Sequence, residues 1–116
     1  MILVAGSANL DYVVRAPHIP APGETVLGHD FRTWPGGKGA NQAVACRKAG
    51  GHTTHMLLAL GHDAQALPIE NSLSEAGVHL HRVLVTDAAT GTAFICVDEQ
   101  GENAITVAPG ANSRLR

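Results

Sequence analysis

The stretch Pro35-Gly36-Gly37-Lys38-Gly39-Ala40-Asn41-Gln42-Ala43 constrains this chain more than any other. Its opening glycines and proline are followed by the small, helix-compatible run Ala43 to Ala49, closed by Gly50 and Gly51. The pattern predicts a tight loop opening a helix over about 40–49, with glycine as its C-terminal stop. Glycines at such a junction let another group approach the backbone, because no Cβ stands in the way. The first N–H groups of the helix are expected to face the loop without helical partners. Lys38 adds a positive charge there, and Asn41 adds a donor and an acceptor. The stretch therefore reads either as a site for a polar or anionic small molecule or as a strand-to-helix turn packed on glycine. It is not a Walker-type phosphate loop, which needs Ser or Thr after the lysine where this chain has Gly39. Nor does it contain the Gly-x-Gly-x-x-Gly dinucleotide fingerprint.

Around this stretch the order of elements predicts an α/β fold. Ile2 to Ala5 is an apolar run of the kind buried on both faces of a parallel sheet. Thr53 to Leu60 is a second such strand and Val78 to Thr86 an alternating third, with a helix between them that carries Pro68 in its first turn. Asp63 is placed to cap that helix. Strand–helix–strand–helix–strand argues for a parallel sheet. Short, half-apolar strands are expected at Tyr12–Arg15 and from Glu24 to Trp34. A hairpin is expected over 92–108, its tip formed by a solvated Asp98, Glu99 and Glu102. Asn112 or Ser113 stands where a helix would be capped, with no helix following in the sequence.

Gly6-Ser7-Ala8-Asn9-Leu10-Asp11 follows the first strand, where open α/β sheets place ligands. In extended chain Asn9 and Asp11 share a face. Together they suit vicinal hydroxyls, although the residues alone fit an Asx-turn at least as well.

Composition excludes several classes. A net charge of −2 with scattered basic residues does not fit a nucleic-acid or membrane surface. No apolar run reaches the roughly 20 residues of a membrane span. Cys46 and Cys96 are far apart and in no paired motif, which suits reduced thiols in a cytoplasmic protein. The seven histidines show no metal-ligand spacing: His52 and His55 are expected on opposite faces, and His79 and His81 share a face with no carboxylate beside them. No metal site is expected in the chain.

Taken in order, Gly6 to Asp11, Pro22-Gly23-Glu24-Thr25-Val26, Pro35 to Ala45, Gly101-Glu102-Asn103 and Pro109-Gly110-Ala111-Asn112 resemble the N-terminal part of the ribokinase-like (PfkB-type) carbohydrate kinases along the whole chain. The resemblance implies a Rossmann-like ribokinase fold with a small β-sheet lid formed by strands at about 10–16, 24–34 and 92–108. It implies ATP-dependent phosphorylation of a hydroxyl of ribose or a related sugar, with ribose favoured by Asn41-Gln42-Ala43 after the glycines. By likeness Asn9, Asp11, Gly37, Lys38, Gly39 and Asn41 bind the sugar. ATP and magnesium, with a monovalent cation as a further ion, are implied for the family and would be held mainly by a C-terminal half. The family's catalytic Asp motif, Gly-Ala-Gly-Asp, has no counterpart here. The chain is thus expected to bind sugar but to be inactive alone, and to dimerise through its lid strands. The alternative is a non-catalytic module for sugar binding or lid-mediated association.

Overall fold

The structure is a computed structural model describing residues 1–50 and 52–115. The elements run β1 (Ile2–Ala5), β2 (Asn9–Arg15), β3 (His29–Gly36), α1 (Lys38–Gly50), β4 (Thr54–Gly61), α2 (Ala66–Glu75), β5 (His79–Val85), β6 (Gly91–Val97), β7 (Asn103–Ala108) and a 3-10 helix (Gly110–Arg114). They build two sheets. One is parallel, in the order β1-β4-β5; the other is mixed, in the order β3-β2-β6-β7.

The parallel sheet forms as the alternation of strand and helix requires, since parallel neighbours need a crossover and α1 and α2 supply it. Both helices pack on one face. Val4, Met56 and Leu58 from the strands meet Ala40, Ala43, Ile69 and Leu73 from the helices in a single buried cluster. β1 does not bury both faces, as its apolar run predicts: Leu3 is 58% exposed. The reason lies in coverage. Among the described residues, the opposite face is covered only at its far end, where the 3-10 helix sets Ala111 against Ala59 and Val85.

In the second sheet β2 is central, antiparallel to β3 and parallel to β6. The extended pattern read from Glu24 produces no strand before His29. The β2–β3 register shifts between Val13 and Arg15, a bulge opposite Asp30 in the left-handed region at φ 54°. Aspartate tolerates that conformation better than most residues.

α1 begins at Lys38, earlier than its apolar pattern indicates, and ends at Gly50. Gly51, the second half of the proposed stop, lies outside the described residues, as does Arg116. Pro68 falls in the first turn of α2. Asp63 does not cap that helix with its side chain. Its carboxylate instead takes the Thr90 N–H at 2.8 Å and the Thr90 hydroxyl at 2.6 Å.

Candidate functional site

The β1–β2 connection and the start of α1 occupy the same place because glycine lets them. The Ala40 N–H donates to the Ser7 carbonyl at 3.0 Å. Gly37 has φ +100°, and a Cβ on it would stand 2.7 Å from Ser7 O, 2.8 Å from Ala8 Cα and 3.0 Å from Asn9 N. A Cβ on Gly39 would stand 2.7 Å from both Gly6 C and Ser7 N. Two backbones approach this closely only where side chains are missing.

That crossing fixes where β2 starts. Asn9 pairs with Gly36 and Asp11 with Trp34 on β3, while on β6 they pair with Gly91 and Ala93. Being two apart, Asn9 and Asp11 point to one face. Gly36, buried and without a side chain, leaves the space that the Asp11 carboxylate fills. The result is a cleft of about 390 Å³ with Asn9, Asp11, Gly37, Lys38 and Asn41 on its polar side. Ala93, Ile95, Ile105 and Val107 from the second sheet form its apolar wall. Five of the six residues singled out from sequence thus line one cleft. Gly39 sits behind them, buried against Gly6 and Ser7. Four larger hollows, of about 400 to 490 Å³, lie beside α2, at the α2–β5 end, on the open face of the parallel sheet and on the outer face of the second sheet. None of them gathers these polar groups.

Burial raises the pKa of Asp11 above its ordinary value. The carboxyl is therefore a stronger base than a free aspartate and a better acceptor for a hydroxyl proton. The helix start offers less than its position suggests. The Ala40 N–H is taken by Ser7, and the Asn41 N–H donates to the Gly37 carbonyl at 2.9 Å. Those two N–H groups are therefore not available to a ligand in the cleft.

Three arrangements escaped the sequence reading. Asn112 caps no helix. It lies inside the 3-10 helix and bonds to Ala8 and Asn9 across the chain. Asp98 is not solvated: it is 7% exposed and accepts from the N–H groups of Gln100 and Glu102 at 2.9 Å each, closing the hairpin turn. His55 stands between His79 and His81, with ring centroids 4.9 and 5.0 Å away, and its Nδ1 lies 2.8 Å from His81 Nε2. The rings stack side by side, and no group of three or more His, Cys, Asp or Glu among the described residues is arranged to hold a metal ion. With Asp11 as the one carboxylate lining the cleft, the described donors do not by themselves fit a magnesium–nucleotide group. Among the described residues no helix is long and apolar enough to cross a membrane.

Comparison with known proteins matches residues 1–116 to the family model described as pfkB family carbohydrate kinase. A ribokinase of Bacillus subtilis is 45% identical over 115 residues, covering 98% of this chain and 39% of that protein. The crystal structure of a ribokinase from Thermotoga maritima superposes with a TM-score of 0.88 at 37% identity, over 96% of this chain and 37% of that one. A structure of Arabidopsis thaliana ribokinase complexed with ribose and ATP gives a TM-score of 0.85 at 37% identity, over 96% and 36%. The chain thus spans less than two fifths of the length of these relatives.

Proposed function

Because the chain belongs to the PfkB family of carbohydrate kinases and has the ribokinase fold, we propose that its cleft binds the acceptor sugar of an ATP-dependent kinase, with ribose as the sugar. The observation that carries this is the convergence of Asn9 and Asp11 with Gly37, Lys38 and Asn41 in one cleft, opposite an apolar wall. A sugar needs both: hydroxyls are met by the amides, the carboxylate and the ammonium, and the C–H face of the ring lies against Ile95, Ile105 and Val107. A site whose buried polar groups are matched to hydroxyls rejects analogues lacking them, because the unmatched groups would stay desolvated.

Within this reading β2, β3, β6 and β7 act as a lid whose closure keeps water, a competing phosphoryl acceptor, from the reacting hydroxyl. Phosphoryl transfer depends on positioning, charge stabilisation and a base near the acceptor. This chain supplies the positioning; the base, the nucleotide site and the bound ions belong to residues other than those described. ATP as donor is supported by the ribose- and ATP-bound relative.

The test is a chimera in which this chain replaces the matching part of the Bacillus subtilis ribokinase. It should form ribose phosphate from ATP and ribose, and Asp11→Asn in the same chimera should remove that activity. A folded chimera without ribokinase activity, or one indifferent to Asp11→Asn, would refute the assignment.

A second reading rests on a separate observation. On the outer face of the second sheet Tyr12 stacks with Phe31 and Phe94 at 6.2 and 5.3 Å, yet Phe31 and Phe94 are 64% and 51% exposed. Exposed aromatic clusters of this kind mark association surfaces. We assign this face to self-association of the lid, giving a homodimer.

A further inference from the structure

Asn112 makes three hydrogen bonds with its side-chain amide, two to the Ala8 backbone and one to Asn9 at the start of β2. The Ala8 N–H donates to Oδ1 at 3.0 Å, and Nδ2 donates to the Ala8 carbonyl at 3.1 Å and to Asn9 Oδ1 at 2.7 Å. Its backbone is fixed as well, with the Asn112 N–H donating to the Pro109 carbonyl at 3.0 Å. Gly91 leaves the room for this pairing, since a Cβ there would run into both Asn112 Nδ2 and Asn9 Oδ1.

The three bonds carry information about polarity. A side-chain amide can ordinarily face either way, presenting its oxygen or its nitrogen. A backbone N–H only donates and a carbonyl only accepts. The Ala8 peptide groups therefore leave Asn112 one orientation, Oδ1 to the N–H and Nδ2 to the C=O. The second Nδ2 hydrogen then meets Asn9, which can accept it only through Oδ1. Asn9 is thereby turned so that its own Nδ2 hydrogens remain for the cleft it lines with Asp11.

We propose that Asn112 is a positioning residue that sets the amide of Asn9 as a hydrogen-bond donor toward the ligand. The cleft then holds a donor, Asn9 Nδ2, two residues from an acceptor, the Asp11 carboxylate. Such a pair reads a diol directionally: one hydroxyl oxygen accepts at Asn9 while the other hydroxyl donates at Asp11. The ligand part of this inference rests on the sugar-binding reading above; the orientation of Asn9 does not.

The test uses the chain with Asn112→Asp and Asn112→Ala, a ribose titration, and nitrogen-15 spectra of the Asn9 side-chain amide. With aspartate at 112, an oxygen replaces the Nδ2 that Asn9 accepted from, so Asn9 must turn and donate to it. In the free protein the Asn9 amide protons should move downfield, and ribose affinity should fall by about tenfold to a hundredfold, the range for reversing one buried donor–acceptor pair. Asn112→Ala frees Asn9 to adopt both orientations, and its loss should be smaller than that of Asn112→Asp. A merely structural role predicts the opposite order or equal losses, and no Asn9 shift in Asn112→Asp. Either result overturns the proposal. If the unaltered chain binds no ribose, the sugar reading fails, while the Asn9 shift in the free Asn112→Asp variant still decides the orientation.

Discussion

Replacing Gly37 by alanine tests the crossing on which the cleft depends. Two costs add at that position. Gly37 has φ +100°, which a side chain makes unfavourable by about 1–3 kcal/mol. The new methyl would also stand 2.7 Å from Ser7 O and 2.8 Å from Ala8 Cα. Both are backbone atoms with no rotamer to change, and forcing them apart costs about 1–3 kcal/mol more. The sum, about 2–6 kcal/mol, is a large part of the total of about 5–15 kcal/mol that holds a domain together. Two other glycines separate the terms. Gly101 has φ +83° but nothing within 4 Å of its would-be Cβ, so Gly101→Ala carries only the conformational cost, about 1–2 kcal/mol. Gly39 is helical but its Cβ would meet Gly6 and Ser7 backbone at 2.7 Å. Gly39→Ala therefore carries the clash, offset by up to about 1 kcal/mol of helix propensity. Thermal unfolding of the three variants should rank Gly37→Ala as the least stable, with a melting point at least about 8 °C below the unsubstituted chain. If Gly37→Ala is no less stable than Gly101→Ala, the two segments do not touch as described.

Further outcomes follow from other parts of the structure. Asp11→Asn should remove most of the pH dependence of ribose binding: because burial raises the pKa of Asp11, binding should weaken as pH falls through a value above 3.8, as calorimetric titrations at stepped pH would show. His55 has its pKa lowered, first by desolvation and then by His79, His81 and the N-terminus. A depressed histidine binds fewer protons folded than unfolded, so the chain should lose stability as pH falls from about 6.5 toward the lower folded pKa. Thermal melts of His55→Gln should show less of that loss, and an equal loss would exclude the stack as its source. Phe94→Thr should shift sedimentation equilibrium toward monomer by removing an exposed ring from the outer face of the second sheet. An unchanged distribution would remove that face from the dimer interface. Asp98→Ala, which strips the acceptor from the Gln100 and Glu102 N–H groups, should cost about 1–3 kcal/mol in a urea titration.

What was legible in the sequence was local. The Gly36-Gly37-Lys38-Gly39 stretch announced a close backbone approach, and the alternation of apolar runs with Ala- and Leu-containing helices announced the parallel sheet. What escaped was pairing over long distances. Asn112 reads as a helix cap until the fold brings it to Ala8 across 104 positions of chain. His55 looks unrelated to His79 and His81 until β4 and β5 pair in register. Asp98 looks like a solvated hairpin tip until the turn folds its carboxylate onto two N–H groups. Asp63 looks like a helix cap because no local signal reveals that Thr90 offers it both an N–H and a hydroxyl. The bare face of β1 is a matter of coverage: an apolar run shows that a strand can be buried, not how many of its faces are.

The measurement that bears most directly on the proposal is a nitrogen-15 shift map of this chain titrated with ribose. The largest perturbations should fall together on Asn9, Asp11, Gly37, Lys38 and Asn41, with smaller ones at Ile95, Ile105 and Val107 on the facing wall. Saturating shifts confined to another surface, or perturbation of the β2 residues without those of α1, would contradict it.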